Sequence, residues 1–223
     1  MPARVRGHVT AVIFDLDGVL VDSRAAISGA MNHALAANGF PPRPTAQLYR
    51  FIGPPLALGF AELTTEPADS DSVVACVTSY RERYAVSSLT ETEVFAGIPA
   101  ALAELSHDHR LAVATSKSQL LAEPLLAALG LRERFEVVVG TDSTARVEEK
   151  AATIGRALAA LQADRAAVMV GDRSFDIAGA HARGLPAVGV TWGIGTADEL
   201  AEADAIAHEP SALPATIARL LPD

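Results

Sequence analysis

The sequence predicts an α/β protein built on a parallel sheet, with a helical subdomain inserted near its start. Three observations carry this reading. Apolar, β-branched runs recur at 9–16 (VTAVIFDL), 111–115 (LAVAT), 135–139 (FEVVV), 166–170 (AAVMV) and 187–190 (AVGV), with a weaker one at 204–207. Helix-like stretches at 98–106, 118–129, 149–162, 174–183 and 210–221 alternate with most of them. Continuous apolar strands alternating with amphipathic helices imply a parallel sheet covered on both faces. Finally, roughly 95 residues lie between the first run and the second, far more than one crossover helix needs.

The intervening segment is rich in helical patterns, at about 23–38, 44–50, 55–64 and 70–86, broken at Gly39-Phe40-Pro41-Pro42 and Gly53-Pro54-Pro55. This predicts a core domain from 1–19 and 94–223, and a helical subdomain over 20–93.

Composition excludes several classes. Half of the 223 residues are hydrophobic, so a sizeable core can form. The formal net charge is −9, which disfavours both a nucleic-acid polymer and an anionic membrane as partners. A small anionic substrate would then need a local cationic pocket or a metal. Cys76 is the single cysteine, so neither an intrachain disulfide nor a cysteine-based zinc cluster is available, and a buried thiol in a reduced compartment is expected. Residues 1–10 lack the pattern of a secretory leader, and no run is long and apolar enough to span a bilayer, which makes the cytoplasm the expected location. A monomer or homodimer is expected.

The chemistry gathers at strand ends. Asp15-Leu16-Asp17-Gly18 closes the first strand, on the edge where open α/β sheets bind ligands. Two carboxylates leaving an apolar strand are costly unless something uses them. A hard cation would relieve their repulsion, and magnesium suits carboxylates combined with substrate phosphate. Gly18 permits a tight turn. A pair of turn residues is the plainer alternative.

Thr115 and Ser116 end the second strand, where a hydroxyl with neighbouring N–H groups can hold phosphate oxygens or cap the next helix. Lys150 opens a helix after the loop TDSTARVEE, and can offset charge around a phosphoryl group or lie solvated. Lys117 and Lys150 are the only lysines, and both fall on the presumed active edge. Gly171-Asp172-Arg173-Ser174-Phe175-Asp176 follows the fourth strand. There Asp172 or Asp176 can complete a metal site, and Asp172 or Ser174 can cap the following helix.

Together these segments resemble the haloacid dehalogenase-like hydrolase superfamily. AVIFDLDGVLVDS at 11–23, LAVATS at 111–116, Lys150, and MVGDRSFDIAGA at 169–180 are similar to its four motifs, in order. FIGPPL at 51–56, EEKAATIGRAL and GVTWGIGTADEL look like phosphoglycolate phosphatase and 5′-nucleotidase members with a helical cap. The resemblance implies a Rossmann-like sheet of order 3-2-1-4-5 and a Mg²⁺-dependent phosphomonoesterase working on a small phosphate ester. It implies that Asp15 is the nucleophile, forming an aspartyl-phosphate, and that Asp17 is the acid/base, a residue dehalogenases lack. By the same resemblance, Asp15, Asp172 and the backbone carbonyl of Asp17 hold the metal, with Gly18 and Asp176 adjoining it. Thr115, Ser116 and Lys150 hold the phosphoryl group. Arg50 and Gly53 are the candidate substrate contacts in the helical segment. A β-phosphoglucomutase-like isomerase and a protein phosphotransferase on the same fold are the alternatives. A receiver-type signalling domain uses similar groups but lacks a helical insertion.

Overall fold

A computed structural model describes residues 10–141, 149–163 and 166–221. Most of the expected loop TDSTARVEE, at 142–148, lies outside them, as does the N-terminal stretch up to residue 9. The chain divides into two compact units, one comprising the segments up to Val21 and from Val94 onward, the other Asp22–Glu93.

The strands are β1 (Thr10–Phe14), β2 (Val21–Asp22), β3 (Glu93–Val94), β4 (His109–Ser118), β5 (Val137–Thr141), β6 (Ala167–Gly171), β7 (Ala187–Val190) and β8 (Ala205–Ala207). The helices are α1 (Arg24–Ala37), α2 (Thr45–Leu48), α3 (Leu56–Thr64), α4 (Asp71–Ser87), α5 (Ile98–Leu105), α6 (Gln119–Ala128), α7 (Lys150–Leu161), α8 (Ser174–His181) and α9 (Leu213–Ile217). The first unit is a six-stranded sheet in the order β5-β4-β1-β6-β7-β8, parallel throughout. Its strands follow the predicted order, and β8, the weak run of the sequence, adds a sixth strand at one edge.

The alternation along each strand decides what covers each face. Val12 and Phe14, Leu111 and Val113, and Val168 and Val170 fall in one buried cluster with Ile98, Leu102, Leu125, Leu126, Leu213 and Ile217 from α5, α6 and α9. Ala11 and Ile13, Ala112 and Ala114, and Ala167 and Met169 fall in the other, with Ile154, Ala157 and Leu161 of α7 and Ile177 and Ala180 of α8. The second face is rich in alanine, so α7 and α8 can lie close to the sheet. Gly179 sharpens this: a Cβ there would lie 3.0 Å from the Lys150 Cβ, so α8 passes tightly against the start of α7.

Some boundaries differ from expectation. The expected helix at 210–221 is a 3₁₀ turn, Pro210–Ala212, followed by the shorter α9. The expected strand at 135–139 begins two residues later because Arg132–Arg134 form a 3₁₀ turn and Phe135 caps it. Strand β4 runs past Thr115 to Ser118, with its register on β5 shifting between Ala114 and Ser118.

The second unit is helical, as predicted for this segment. Tyr80 and Tyr84 stack at 5.3 Å between ring centroids, Phe60 meets Tyr80 edge-on, and Cys76 is buried. Asn32 exchanges two hydrogen bonds with the backbone of Arg43, at 2.8 and 2.9 Å, tying α1 to the loop after it.

Phe14 is fully buried, with its ring edge-on to Phe135 at 6.1 Å. Phe14→Ala is expected to cost about 3–5 kcal/mol of stability, through lost burial and the cavity left behind. A urea titration of the variant against the parent measures it.

Candidate active site at the carboxyl edge of the sheet

The site begins with the parity of β1. Odd positions of the strand face α7 and α8, and Asp15 continues that alternation just past Phe14. Leu16 turns back into the other cluster, so Asp15 and Asp17 flank a fully buried leucine. The Asp15 amide still donates to Val170 O at 2.9 Å, holding the residue in the sheet. The turn then closes as Leu20 and Val21 amides donate to Leu16 O.

The first residue of α7 and the first turn of α8 supply the partners. Lys150 Nζ lies 2.6 Å from Asp15 Oδ1 and 2.7 Å from Asp176 Oδ1, with all three residues buried. Burial by itself would push the Lys150 ammonium down, but Asp15 and Asp176 outweigh it and the net shift is upward, so the lysine stays charged. Asp176 also reaches back to accept the Arg173 amide at 3.1 Å. Asp176 thus performs the capping expected of Asp172 or Ser174, and the helix's N-cap residue is Arg173.

Asp172 is freed for another role. Its Oδ2 accepts from Ile194 N at 2.7 Å, and Gly195 N lies 3.4 Å away. Its Oδ1 is buried and has no hydrogen-bond partner among the described residues. Ligand oxygens of Asp15, Asp172 and Asp176 all lie within 4.8 Å of one another. Burial above all, with the Asp176 and Asp15 carboxylates beside it, pushes Asp172 up to about 8. Burial likewise raises Asp15 to about 6, against the opposing pull of Lys150. Three buried carboxylates face one ammonium, and one of their oxygens is unpartnered. A hard divalent cation fits that donor set and would balance its charge.

Backbone makes room for this carboxylate cluster. Gly18 has φ +88°, and a Cβ on it would run into the Asp172 carboxylate. Cβ atoms on Gly193 and Gly195 would also collide with Asp172. The Trp192 indole donates to Val19 O at 3.1 Å and pins the glycine loop to the turn after β1.

Asp17 is held differently. Lys117 Nζ sits 3.0 Å from its Oδ2. Thr115 is buried two residues beyond Val113, the register partner of Phe14, and its hydroxyl accepts the Lys117 amide at 3.2 Å. Ser116 O accepts from the Thr141 hydroxyl at 3.1 Å. Arg50 and Gly53 lie in the second unit, where Arg50 pairs with Glu62 and its guanidinium lies 4.6 Å from the Phe51 ring centroid. Gly53 there has φ +104°.

The structure therefore brings Asp15, Lys150, Asp172 and Asp176 into one cluster with Gly18, and pairs Asp17 with Lys117. Sequence reasoning missed the Lys117 partnership and the Trp192–Gly195 loop. One signal for the loop was available: two glycines spaced i, i+2 directly after β7, on the ligand edge of the sheet.

The carboxylate cluster lies at the carboxyl edge of a parallel sheet, the place where open α/β folds bind their ligands. More narrowly, residues 12–190 match the family model described as haloacid dehalogenase-like hydrolase, and the chain belongs to that family. It is 35% identical over 212 residues to a 5′-nucleotidase of Pseudomonas aeruginosa, covering 94% of this chain and 92% of that one. It is 38% identical over 222 residues to a phosphoglycolate phosphatase of Cupriavidus necator, covering 96% of each. Among solved structures, protein tyrosine kinase A of Mycobacterium tuberculosis superposes with a TM-score of 0.79 at 32% identity, over 94% of this chain and 98% of that one. The chain spans 64% of the full length of that kinase.

Two outcomes follow from this geometry. Gly18→Ala is expected to displace Asp172 and strain the turn, lowering stability by roughly 1–3 kcal/mol and weakening divalent-cation binding, as read by melting curves with and without Mg²⁺. The second concerns pH. A carboxyl raised above its ordinary value of 3.8 keeps its proton in the folded chain after the unfolded chain has lost it. Its stabilising effect is lost as pH rises through the folded values, about 6 for Asp15 and about 8 for Asp172. In chelator, the melting point of the parent should therefore fall relative to Asp172→Asn as pH rises across that window. Calorimetry across the range checks the sign.

Proposed function

We propose that this chain is a Mg²⁺-dependent phosphomonoesterase that cleaves a small phosphorylated metabolite through an aspartyl-phosphate on Asp15. The observation that carries this reading is the Asp15 carboxylate, buried at the sheet edge and held at 2.6 Å by a charged Lys150, beside an Asp172 oxygen with no partner. A nucleophile needs a fixed position, and a phosphoryl group needs concentrated positive charge around it.

Asp15 and Asp172 would hold the metal through carboxylate oxygens and Asp17 through its backbone carbonyl, with Asp176 beside them. When bound, the cation supplies charge neutralisation and orients phosphate oxygens. Asp15 attacks phosphorus. Asp17 gives a proton to the leaving oxygen, then takes one from the water that cleaves the aspartyl ester. Lys150 holds Asp15 in line and, with the Thr115 hydroxyl and Ser116, would steady the phosphoryl oxygens. The helical unit would serve as a cap, with Arg50 and Gly53 as substrate contacts. Phosphoglycolate and 5′-nucleotides are the substrate candidates, the compounds for which the similar phosphatases are named. A cytoplasmic setting suits the single buried thiol. Among the described residues, no helix is long and apolar enough to cross a membrane.

Asp15→Asn is expected to lower turnover of p-nitrophenyl phosphate by roughly a thousandfold or more while melting as a folded protein. Retained turnover in that variant would sink the mechanism. Chelation should abolish activity and Mg²⁺ restore it. A phosphate-release screen over phosphoglycolate, nucleoside monophosphates and sugar phosphates identifies the substrate, and formation of an isomer without phosphate release points to a mutase instead.

The similarity to a mycobacterial tyrosine kinase favours one second reading, phosphoryl transfer to protein. Label passing from γ-labelled ATP to a tyrosine-containing protein, without steady phosphate release from monoesters, would select it.

A further inference from the structure

We propose that Lys117 is the positioning residue for Asp17: it holds one carboxylate oxygen so that the other is presented to the leaving group. This rests on the reading of Asp17 as the acid/base. The two lysines of the chain divide the two strand-end acids between them. Lys150 takes Asp15, and Lys117 takes Asp17.

Lys117 Nζ meets Asp17 Oδ2 at 3.0 Å, with side chains only 5% and 14% exposed. The other oxygen, Oδ1, is buried and has no hydrogen-bond partner among the described residues. A pair that served stability alone would be expected to satisfy both oxygens, because a buried unpaired acceptor is costly. Half-satisfaction leaves Oδ1 for a group absent from the folded chain.

The backbone on both sides is already fixed. Asp17 forms a bridge with Val21, and the Gly18 amide donates to Val21 O at 2.9 Å. Lys117 sits in the stretch of β4 where the register on β5 shifts, and irregularities of this kind re-aim side chains at sheet edges. The Lys117 amide on the Thr115 hydroxyl holds that stretch. With the main chain tied by these bonds, the Asp17 side-chain torsions are left to be set, and the ion pair with Lys117 restricts them.

The consequence is kinetic. As the Asp15 oxygen bonds to phosphorus, the ester P–O bond breaks, and the proton on Asp17 passes to the departing oxygen. A poor leaving group needs that proton and a good one needs it little. Losing the orientation of Asp17 should therefore matter in proportion to the basicity of the leaving group.

The test compares kcat/KM for phenyl phosphate and p-nitrophenyl phosphate in the parent, Lys117→Met, Asp17→Asn and the double variant. Lys117→Met is expected to lose about tenfold or more on phenyl phosphate beyond its loss on p-nitrophenyl phosphate. The double variant should be no slower than Asp17→Asn alone, since Lys117 acts through Asp17. Lys117→Arg should restore part of the loss. Equal losses on the two esters, or losses that multiply in the double variant, would overturn the assignment and make Lys117 a direct phosphate ligand or a fold contact. If Lys117→Met melts below the assay temperature, Lys117→Gln carries the same comparison. Equal losses on both esters in Asp17→Asn would mark failure of the acid/base reading itself, and the Lys117 proposal would fall with it.

Discussion

Lys150 buried between Asp15 and Asp176 is the interaction on which the site depends. A lone ammonium out of water is severely penalised, and so is a lone carboxylate. Burial of the three is tolerable because the Lys150 ammonium lies 2.6 Å from the Asp15 carboxylate and 2.7 Å from that of Asp176. The arrangement ties together three elements remote in sequence: the end of β1, the first residue of α7 and the first turn of α8. Those elements meet because the sheet face beneath α7 and α8 is lined with alanine, and because Gly179 lets α8 graze Lys150.

One ammonium does not neutralise three carboxylates, and the imbalance is informative. Asp172 is left without a countercharge: its Oδ1 has no partner among the described residues, and burial and its acidic neighbours push its carboxyl upward. Packing that served stability alone would have replaced such a group with a hydrophobe. Instead, Gly18 and Gly193 lack the Cβ atoms that would collide with its side chain, Gly195 lacks one that would collide with its backbone carbonyl, and the Ile194 amide holds one carboxylate oxygen in place. Three glycines from two loops leave room for one aspartate, two of them for its carboxylate and one for its backbone. Membership of the haloacid dehalogenase-like hydrolases gives that geometry its context.

Much of this was legible in the sequence. Strand runs ending in Asp, Thr and Gly announce a parallel sheet with its chemistry at one edge, because apolar runs must be buried and acids at their ends must be accounted for. The long gap after the first strand announced the helical insertion for the same reason of chain economy. Less legible were the helix and strand ends. Phe135 completes a 3₁₀ turn instead of opening β5, and Pro210–Ala212 form a 3₁₀ turn where a longer helix was expected. Local propensity does not distinguish these, since the competing conformations differ by little and packing chooses between them.

By itself, then, the sequence determined the α/β class and the helical insertion, and it set Asp15, Asp17, Thr115, Lys150 and Asp172 at strand ends or in the segments just after them. Periodicity and strand-end chemistry are local properties, and local properties are written in order along the chain. Only the tertiary structure decided the partners. It paired Lys150 with Asp15 and Asp176, gave Lys117 to Asp17, assigned the capping of α8 to Asp176, and surrounded Asp172 with glycines from a loop after β7. Which charge meets which is set by the crossing of elements distant in sequence, and no local pattern encodes a distance of 2.6 Å between Lys150 and Asp15, 135 residues apart.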